Sequence, residues 1–173
     1  MRALDAGAMG IIAPMIDSAE DVRNFINTCL YAPRGARSFG PVRARLAHGD
    51  TYAKDANDMV LPIAMIETKD AVTNLDQILQ VAGLGGIYIG PADLSLVHGF
   101  APGFDREEPE MLKLLEHILG RAKAHNVPAC IHCGSPKYAK RMQNLGFSMV
   151  TISSDARFVE AGCKQTLQDF HSA

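Results

Sequence analysis

The chain has 173 residues, 47% of them apolar and 21% charged, which fits one soluble globular domain with a sizeable core. Seventeen Lys and Arg against nineteen Asp and Glu leave a net charge of −2. That lacks the basic surplus of a protein that neutralises phosphates, so no nucleic-acid partner is expected. No apolar run reaches the roughly 18 residues of a membrane span. Met1–Gly7 lacks the charged-then-apolar layout of a secretion signal, so no membrane partner is expected. Cys29, Cys130, Cys133 and Cys163 fall at irregular spacings, which fits reduced thiols in a cytoplasmic protein.

In chain order, Gly10–Met15 is a short apolar run that reads as a strand. Ser18, followed by Glu20 and Asp21, is a helix start, and Val22, Phe25, Ile26, Cys29 and Leu30 recur at helical spacing. A Pro- and Gly-rich loop is expected from Tyr31 to about Asp50, carrying Arg34, Arg37, Arg43 and Arg45. Val60–Ile66 is a second strand, and Val72, Leu75, Ile78, Leu79 and Ala82 mark one amphipathic helix ended by Gly83. Gly86–Gly90 is a third strand, followed by a turn at Pro91-Ala92-Asp93. A helix over Pro109–Ala124, a strand over Val127–Cys133 and a helix over Pro136–Leu145 come next. A strand over Phe147–Ile152 and a helix over Asp155–Phe170 close the chain. Five alternations of strand and helix predict an α/β fold with a parallel sheet.

Two parallel architectures compete. Gly83, Gly85 and Gly86 precede their strand, so they do not form the Gly-x-Gly-x-x-Gly turn of a dinucleotide-binding fold. A flavodoxin-like sheet fits the length, whereas an eight-stranded barrel typically needs about 250 residues. In either case the chemistry belongs at the C-terminal ends of the strands. Glu67 ends the second strand, and Asp93 lies three residues beyond Gly90 at the end of the third. Adjacent strands would bring both carboxylates to one rim, where they suit a hard divalent cation; helix capping is the competing reading. Cys130-Ile131-His132-Cys133 invites a zinc or redox reading. No second ligand pair accompanies it, and in a strand Cys130 and Cys133 face opposite sides. His48 and His98 read as solvated loop residues, and the loop arginines as an anion site or a solvated face.

Three segments together resemble the HpcH/HpaI aldolase family: Ile63-Ala64-Met65-Ile66-Glu67-Thr68, Asn74-Leu75-Asp76-Gln77-Ile78 and Gly90-Pro91-Ala92-Asp93-Leu94-Ser95. Tyr31-Ala32-Pro33-Arg34-Gly35-Ala36-Arg37 with Gly40 resembles the family's Tyr-Pro-Pro-x-Gly-x-Arg loop. The family includes 4-hydroxy-2-oxoheptanedioate and 2-dehydro-3-deoxyglucarate aldolases and is related to the citrate lyase β subunit.

The resemblance implies a TIM-barrel fold, with this chain a single domain over residues 1–173 supplying five βα units that match strands four to eight. Roughly 80 residues of a typical barrel would then precede it. It further implies a metal-dependent (class II) aldolase that cleaves a 4-hydroxy-2-oxoacid to pyruvate and an aldehyde through an enolate. Glu67 and Asp93 would be the ligands of Mg²⁺, Mn²⁺ or Co²⁺. The backbone N–H groups of Ala92 and Asp93 would hold the pyruvate carboxylate, and Ile131 would line the pocket near the pyruvate methyl. Asp5 matches the family's partner of the catalytic His. That His and the pyruvate-binding Arg belong to strands two and three, and Met65 stands where several members carry Gln. The implied partners are a small oxoacid and further copies of the chain, as a dimer or hexamer. Two alternatives are a chain that works only by association, through open sheet edges, and an acyl-CoA lyase of the citrate lyase branch.

Overall fold

The structure is a computed structural model that describes residues 1–172. A short helix α1 (Arg2–Asp5) leads into strand β1 (Gly10–Ala13). Helix α2 (Ala19–Cys29) starts at Ser18, whose Oγ accepts the Asp21 N–H at 3.1 Å. The Asp21 carboxylate answers by accepting the Ser18 hydroxyl at 2.7 Å and the Asp17 N–H at 3.2 Å. This reciprocal cap fixes the entry angle of the helix, and Val22, Ile26 and Cys29 are buried along one stripe.

The stretch expected to be loop up to Asp50 holds helix α3 (Val42–His48), and helix α4 (Tyr52–Met59) follows it. Their apolar signal is sparse. Ala44, Tyr52 and Ala56 are the residues they bury, and with Tyr31 these form a small cluster apart from the main core. A stripe so thin carries little helical periodicity.

Strand β2 (Leu61–Ile66) is followed by helices α5 (Lys69–Thr73) and α6 (Leu75–Leu79) where one helix was predicted. The break falls at Asn74, whose side-chain amide donates to the Asp17 carbonyl at 2.9 Å. Strand β3 (Gly86–Ile89) leads to helix α7 (Pro91–Val97), so the expected Pro91-Ala92-Asp93 turn is the first turn of a helix. Proline is well placed there, since its missing N–H would be unpaired in any case. Helix α8 (Pro109–Ala124), strand β4 (Ala129–Cys133) and helix α9 (Pro136–Leu145) match the predicted elements within two residues. Gly146 stops α9 in the left-handed conformation, φ 108°. Strand β5 (Met149–Ile152) and helix α10 (Asp155–Ser172) complete the described chain, and α10 buries none of its residues.

The five strands are all parallel and lie in the order β1-β2-β3-β4-β5, each beside its neighbour in sequence. A doubly wound sheet would reverse direction somewhere in that order. None of these strands does so, which discards the flavodoxin-like alternative and leaves a curled half-barrel.

Register sorts the side chains into two faces. Ala64, Ile66, Ile87, Ile89, Ala129, Ile131 and Cys133 face the helices and join the main core with Leu75, Leu94, Leu115, Ile118 and Met142. Ile63, Tyr88 and Cys130, with Met65 beside them, form a separate cluster on the concave face. Among the described residues, no helix is long and apolar enough to cross a membrane.

Candidate active site

The concave face changes character towards the C-terminal ends of the strands. Counting forward by two along β2 and β3 takes Ile63 to Met65 to Glu67, and Tyr88 to Gly90. Along β4 the same step takes Cys130 to His132, which pairs in register with Thr151 of β5. These positions open on a cavity of about 290 Å³ lined by Met65, Glu67, Tyr88, Ala92, Asp93 and His132, with Phe104 and Arg157 at its edge.

Glu67 is buried, 3% exposed, and its Oε1 accepts the Met15 N–H from the β1 side at 2.8 Å. Burial holds its carboxyl above the usual carboxylate range. The Met15 hydrogen bond opposes that, and the nearby charges of Asp93 and Asp17 add to it. Neither Glu67 nor Asp93 joins an ion pair among the described residues. Gly90 explains how a carboxylate can sit so deep: a Cβ there would collide with Glu67 Oε2 and stand 3.2 Å from Met65 Sδ. The glycine keeps the floor open.

Two carboxylates left unneutralised at one rim fit a hard divalent cation by their chemistry. No group of three or more His, Cys, Asp or Glu suited to a metal occurs among the described residues. A cation held by Glu67 and Asp93 would therefore keep most coordination positions for substrate and water. Ala92 and Asp93 are the second and third residues of α7, where amide N–H groups have no intrahelical acceptor.

Three sequence expectations change. Ile131 does not line the cavity: it is fully buried in the helix-facing core, because odd positions of β4 point that way and even ones inward. Its neighbour His132 takes the concave place. Asp5 lies outside the cavity lining and pairs with the fully buried Arg37 side chain at 2.7 Å. Arg37 also donates to the Tyr52 hydroxyl at 3.2 Å and covers the Tyr31 ring at 4.4 Å. Of the loop arginines, Arg37 is buried and Arg34, Arg43 and Arg45 are exposed, Arg34 and Arg45 paired with Asp58 and Asp50; none lines the cavity, so the solvated-face reading holds for the exposed three. The cation that does line the cavity is Arg157, set 4.8 Å over the Phe104 ring.

Sequence reasoning missed Tyr88 and Thr151, and read His132 only within a zinc or redox motif. Tyr88 Oη and Thr151 Oγ1 each lie 3.0 Å from His132 Nδ1 and 2.8 Å from one another. The period-two count back from Gly90 and the parity of β4 carried the signal. Cys130 and Cys133 do face opposite sides, one concave and one in the helix-facing core, so they cannot share a metal. All four cysteines are free thiols.

Comparison with known proteins places this geometry. The HpcH/HpaI aldolase/citrate lyase family model matches residues 1–160. A hydroxypyruvate/pyruvate aldolase of Rhizorhabdus wittichii is 41% identical over 169 residues, covering 98% of this chain and 67% of that one. A 4-hydroxy-2-oxo-heptane-1,7-dioate aldolase of Salmonella heidelberg is 33% identical over 164 residues, 93% of this chain and 62% of its own. The chain thus spans about three-fifths to two-thirds of the length of these relatives. Among solved structures, an HpcH/HpaI aldolase from Desulfitobacterium hafniense superposes with TM-score 0.85 at 24% identity, over 99% of this chain and 67% of that one. The citrate synthase SbnG superposes with TM-score 0.81 at 29% identity, over 99% and 66%. By family model, identity and fold together, the chain belongs to the HpcH/HpaI aldolase/citrate lyase family.

Proposed function

We propose that this chain carries the metal-binding and carboxylate-binding half of a divalent-metal-dependent pyruvate aldolase, which reversibly cleaves a 4-hydroxy-2-oxoacid to pyruvate and an aldehyde. The observation that carries the reading is the buried Glu67 beside Asp93, on neighbouring parallel strand ends, with no cationic side chain among the described residues paired to either. The relatives named as pyruvate-forming or oxoacid aldolases support it.

Glu67 and Asp93 would hold Mg²⁺, Mn²⁺ or Co²⁺, which supplies Lewis-acid polarisation of the oxoacid carbonyl when bound. The chain's own residues do the rest of the work assigned here. Met15 N–H anchors one oxygen of Glu67 and so fixes its direction. The Ala92 and Asp93 amides at the start of α7 receive the oxoacid carboxylate, assisted by the positive end of the helix. Met65 and Phe104 give the cavity apolar walls, which would limit water.

Titration with Mn²⁺ tests the core of this reading. The chain should bind Mn²⁺, and Glu67→Gln should weaken binding by about 100-fold or more. Unchanged affinity in Glu67→Gln would overturn the metal assignment.

A second reading has its own observation. β1 and β5 are open edges of a parallel sheet, and α10 exposes Phe158, Val159, Leu167 and Phe170. Such surfaces favour a chain that acts as part of a homo-oligomer. Sedimentation showing an assembly at micromolar concentration would support it, and a compact monomer would count against it. An acyl-CoA lyase is less favoured, because the aldolases are the relatives with substantial identity.

A further inference from the structure

The concave face holds a polar cluster that metal and carboxylate binding leave unused. Tyr88, His132 and Thr151 come from three successive strands, β3, β4 and β5, and meet at His132 Nδ1. Tyr88 is buried, while His132 and Thr151 are half-buried, and Tyr88 and His132 line the cavity that holds Glu67 and Asp93. The Phe104 ring lies 4.5 Å from the imidazole and confines it from the α7–α8 side.

Counting protons selects the tautomer. The two hydroxyls bring two protons to three mutual contacts. If Nδ1 accepts, both are used inside the cluster: one hydroxyl donates to Nδ1 and the other donates to the first hydroxyl. If Nδ1 carries a proton, it donates to one hydroxyl, which donates to the other, and the last hydroxyl proton has no acceptor in the cluster. The first arrangement is the satisfied one, and it puts the ring proton on Nε2. No protein partner is found for Nε2 among the described residues, so the cluster presents a fixed N–H donor to the cavity. Burial and the nearby Arg157 hold the imidazole below its usual pKa, which keeps it neutral at physiological pH; Asp105 opposes this more weakly.

We propose that the Tyr88–His132–Thr151 cluster is a hydroxyl-recognition subsite, selecting substrates that carry a hydroxyl on the carbon beside the reacting carbonyl. His132 makes the contact, and Tyr88 and Thr151 are positioning residues that fix its tautomer and orientation. The inference rests on the aldolase reading, in which the oxoacid carboxylate already has its place at α7 and the cluster faces another part of the substrate. A methyl in place of that hydroxyl would leave the Nε2–H unpaired in a half-buried pocket, which is the situation that gives hydrogen-bonding sites their selectivity. The hydroxyl can be carried by the oxoacid or by the aldehyde, and isosteric pairs separate the two sources.

The experiment uses the Mn²⁺-loaded chain for binding and the diamagnetic Mg²⁺-loaded chain, with ¹⁵N-labelled histidine, for the NMR readout. Dissociation constants are measured for pyruvate, 3-hydroxypyruvate and 2-oxobutyrate, then for glycolaldehyde and propionaldehyde with pyruvate bound. In one of the two pairs, the hydroxyl compound should bind about tenfold more tightly than its methyl isostere. The pair that shows this identifies the source. His132→Leu should reduce the preference to about one. Tyr88→Phe and Thr151→Val keep side-chain volume and should reduce it in part. Both should also move the His132 ¹⁵N signals away from the pattern of a single Nε2–H tautomer, which loss of packing alone would not do. Equal affinities within both isosteric pairs overturn the proposal, as does a preference that survives His132→Leu. Preference for succinic semialdehyde over glycolaldehyde would assign the cluster and Arg157 to an anion and also overturn it. If the Mn²⁺-loaded chain binds none of the acids, the aldolase reading falls together with this one. If it binds the acids but shows no preference within either pair, only this proposal falls.

Discussion

The two faces of the five-stranded sheet are built from the same strands by the same alternation, yet they do different work. The helix-facing side is entirely apolar from Ala64 to Cys133 and is packed against α2, α6, α8 and α9. The concave side starts apolar at Ile63 and Cys130, then becomes polar towards the strand ends at Glu67, Tyr88, His132 and Thr151. One face spends its positions on close packing, which tolerates neither polar atoms nor lost volume. The other accepts a buried carboxylate and a glycine that packs nothing, costs that a purely structural sheet has no reason to carry. The difference locates the chemistry more firmly than any single residue does.

The largest effect expected from breaking this contrast is on stability. Ile131→Ala removes a fully buried side chain from the helix-facing core and should destabilise by roughly 2–5 kcal/mol in chemical denaturation. Ile131 contributes no wall to the cavity, so Mn²⁺ affinity measured well below the melting temperature should stay within about twofold.

Gly90→Ala is the complementary test on the concave side. Its Cβ would displace the Glu67 carboxylate, so chemistry should fall by about 100-fold, the scale of a misplaced catalytic group. The thermal midpoint should move far less than in Ile131→Ala. Normal Mn²⁺ binding in the variant would mean that the metal does not depend on the Glu67 position that Gly90 allows.

Thiol chemistry sharpens the comparison at lower amplitude. Burial pushes the Cys133 thiol up to about 11, and Cys29 and Cys130 are raised by the same cause. Cys163 is exposed on α10. Alkylation of the native protein at pH 8, followed by mass spectrometry, should label Cys163 first and leave the other three until the chain is unfolded.

The smallest expected effects lie outside both faces, at the start of α2. Ser18→Ala should cost about 1 kcal/mol through the lost cap. Asp21 is held below its usual pKa, chiefly by the Ser18 hydroxyl. Its contribution to stability is therefore present above the unfolded value of 3.8 and lost as pH falls through the folded one. Asp21→Asn should lower stability near neutrality, where the carboxylate's contribution is present, and flatten the profile below about pH 4.

Much of this architecture was legible in the sequence because the sheet's helix-facing residues are apolar in runs and the long helices α2, α8 and α9 carry clear stripes. The carboxylate rim was legible for a related reason: Glu67 and Asp93 follow apolar strands directly, at the ends where parallel sheets hold their sites. Other features depended on contacts between distant segments. The α5–α6 break is set by Asn74 reaching the Asp17 carbonyl across 57 positions, which no local pattern records. Helices α3 and α4 bury three residues between them and are held by Tyr31. Ile131 was assigned to the cavity through family resemblance, and simple strand parity would have placed His132 there instead. The Tyr88–His132–Thr151 cluster needs the register of β3, β4 and β5, which the strands fix only once paired.

The decisive measurement is exchange of the pyruvate methyl protons for deuterium, followed by NMR, with Mg²⁺, with chelator, and in Glu67→Gln. Proton loss at that carbon is the half-reaction common to pyruvate aldolases, so the identity of the aldehyde does not matter. Exchange that requires both the metal and Glu67 is the predicted result, and it would show the concave face acting as an aldolase site. Exchange that persists in chelator or in Glu67→Gln, or its absence from a chain that binds Mn²⁺ and pyruvate, would contradict the assignment of that chemistry to this chain.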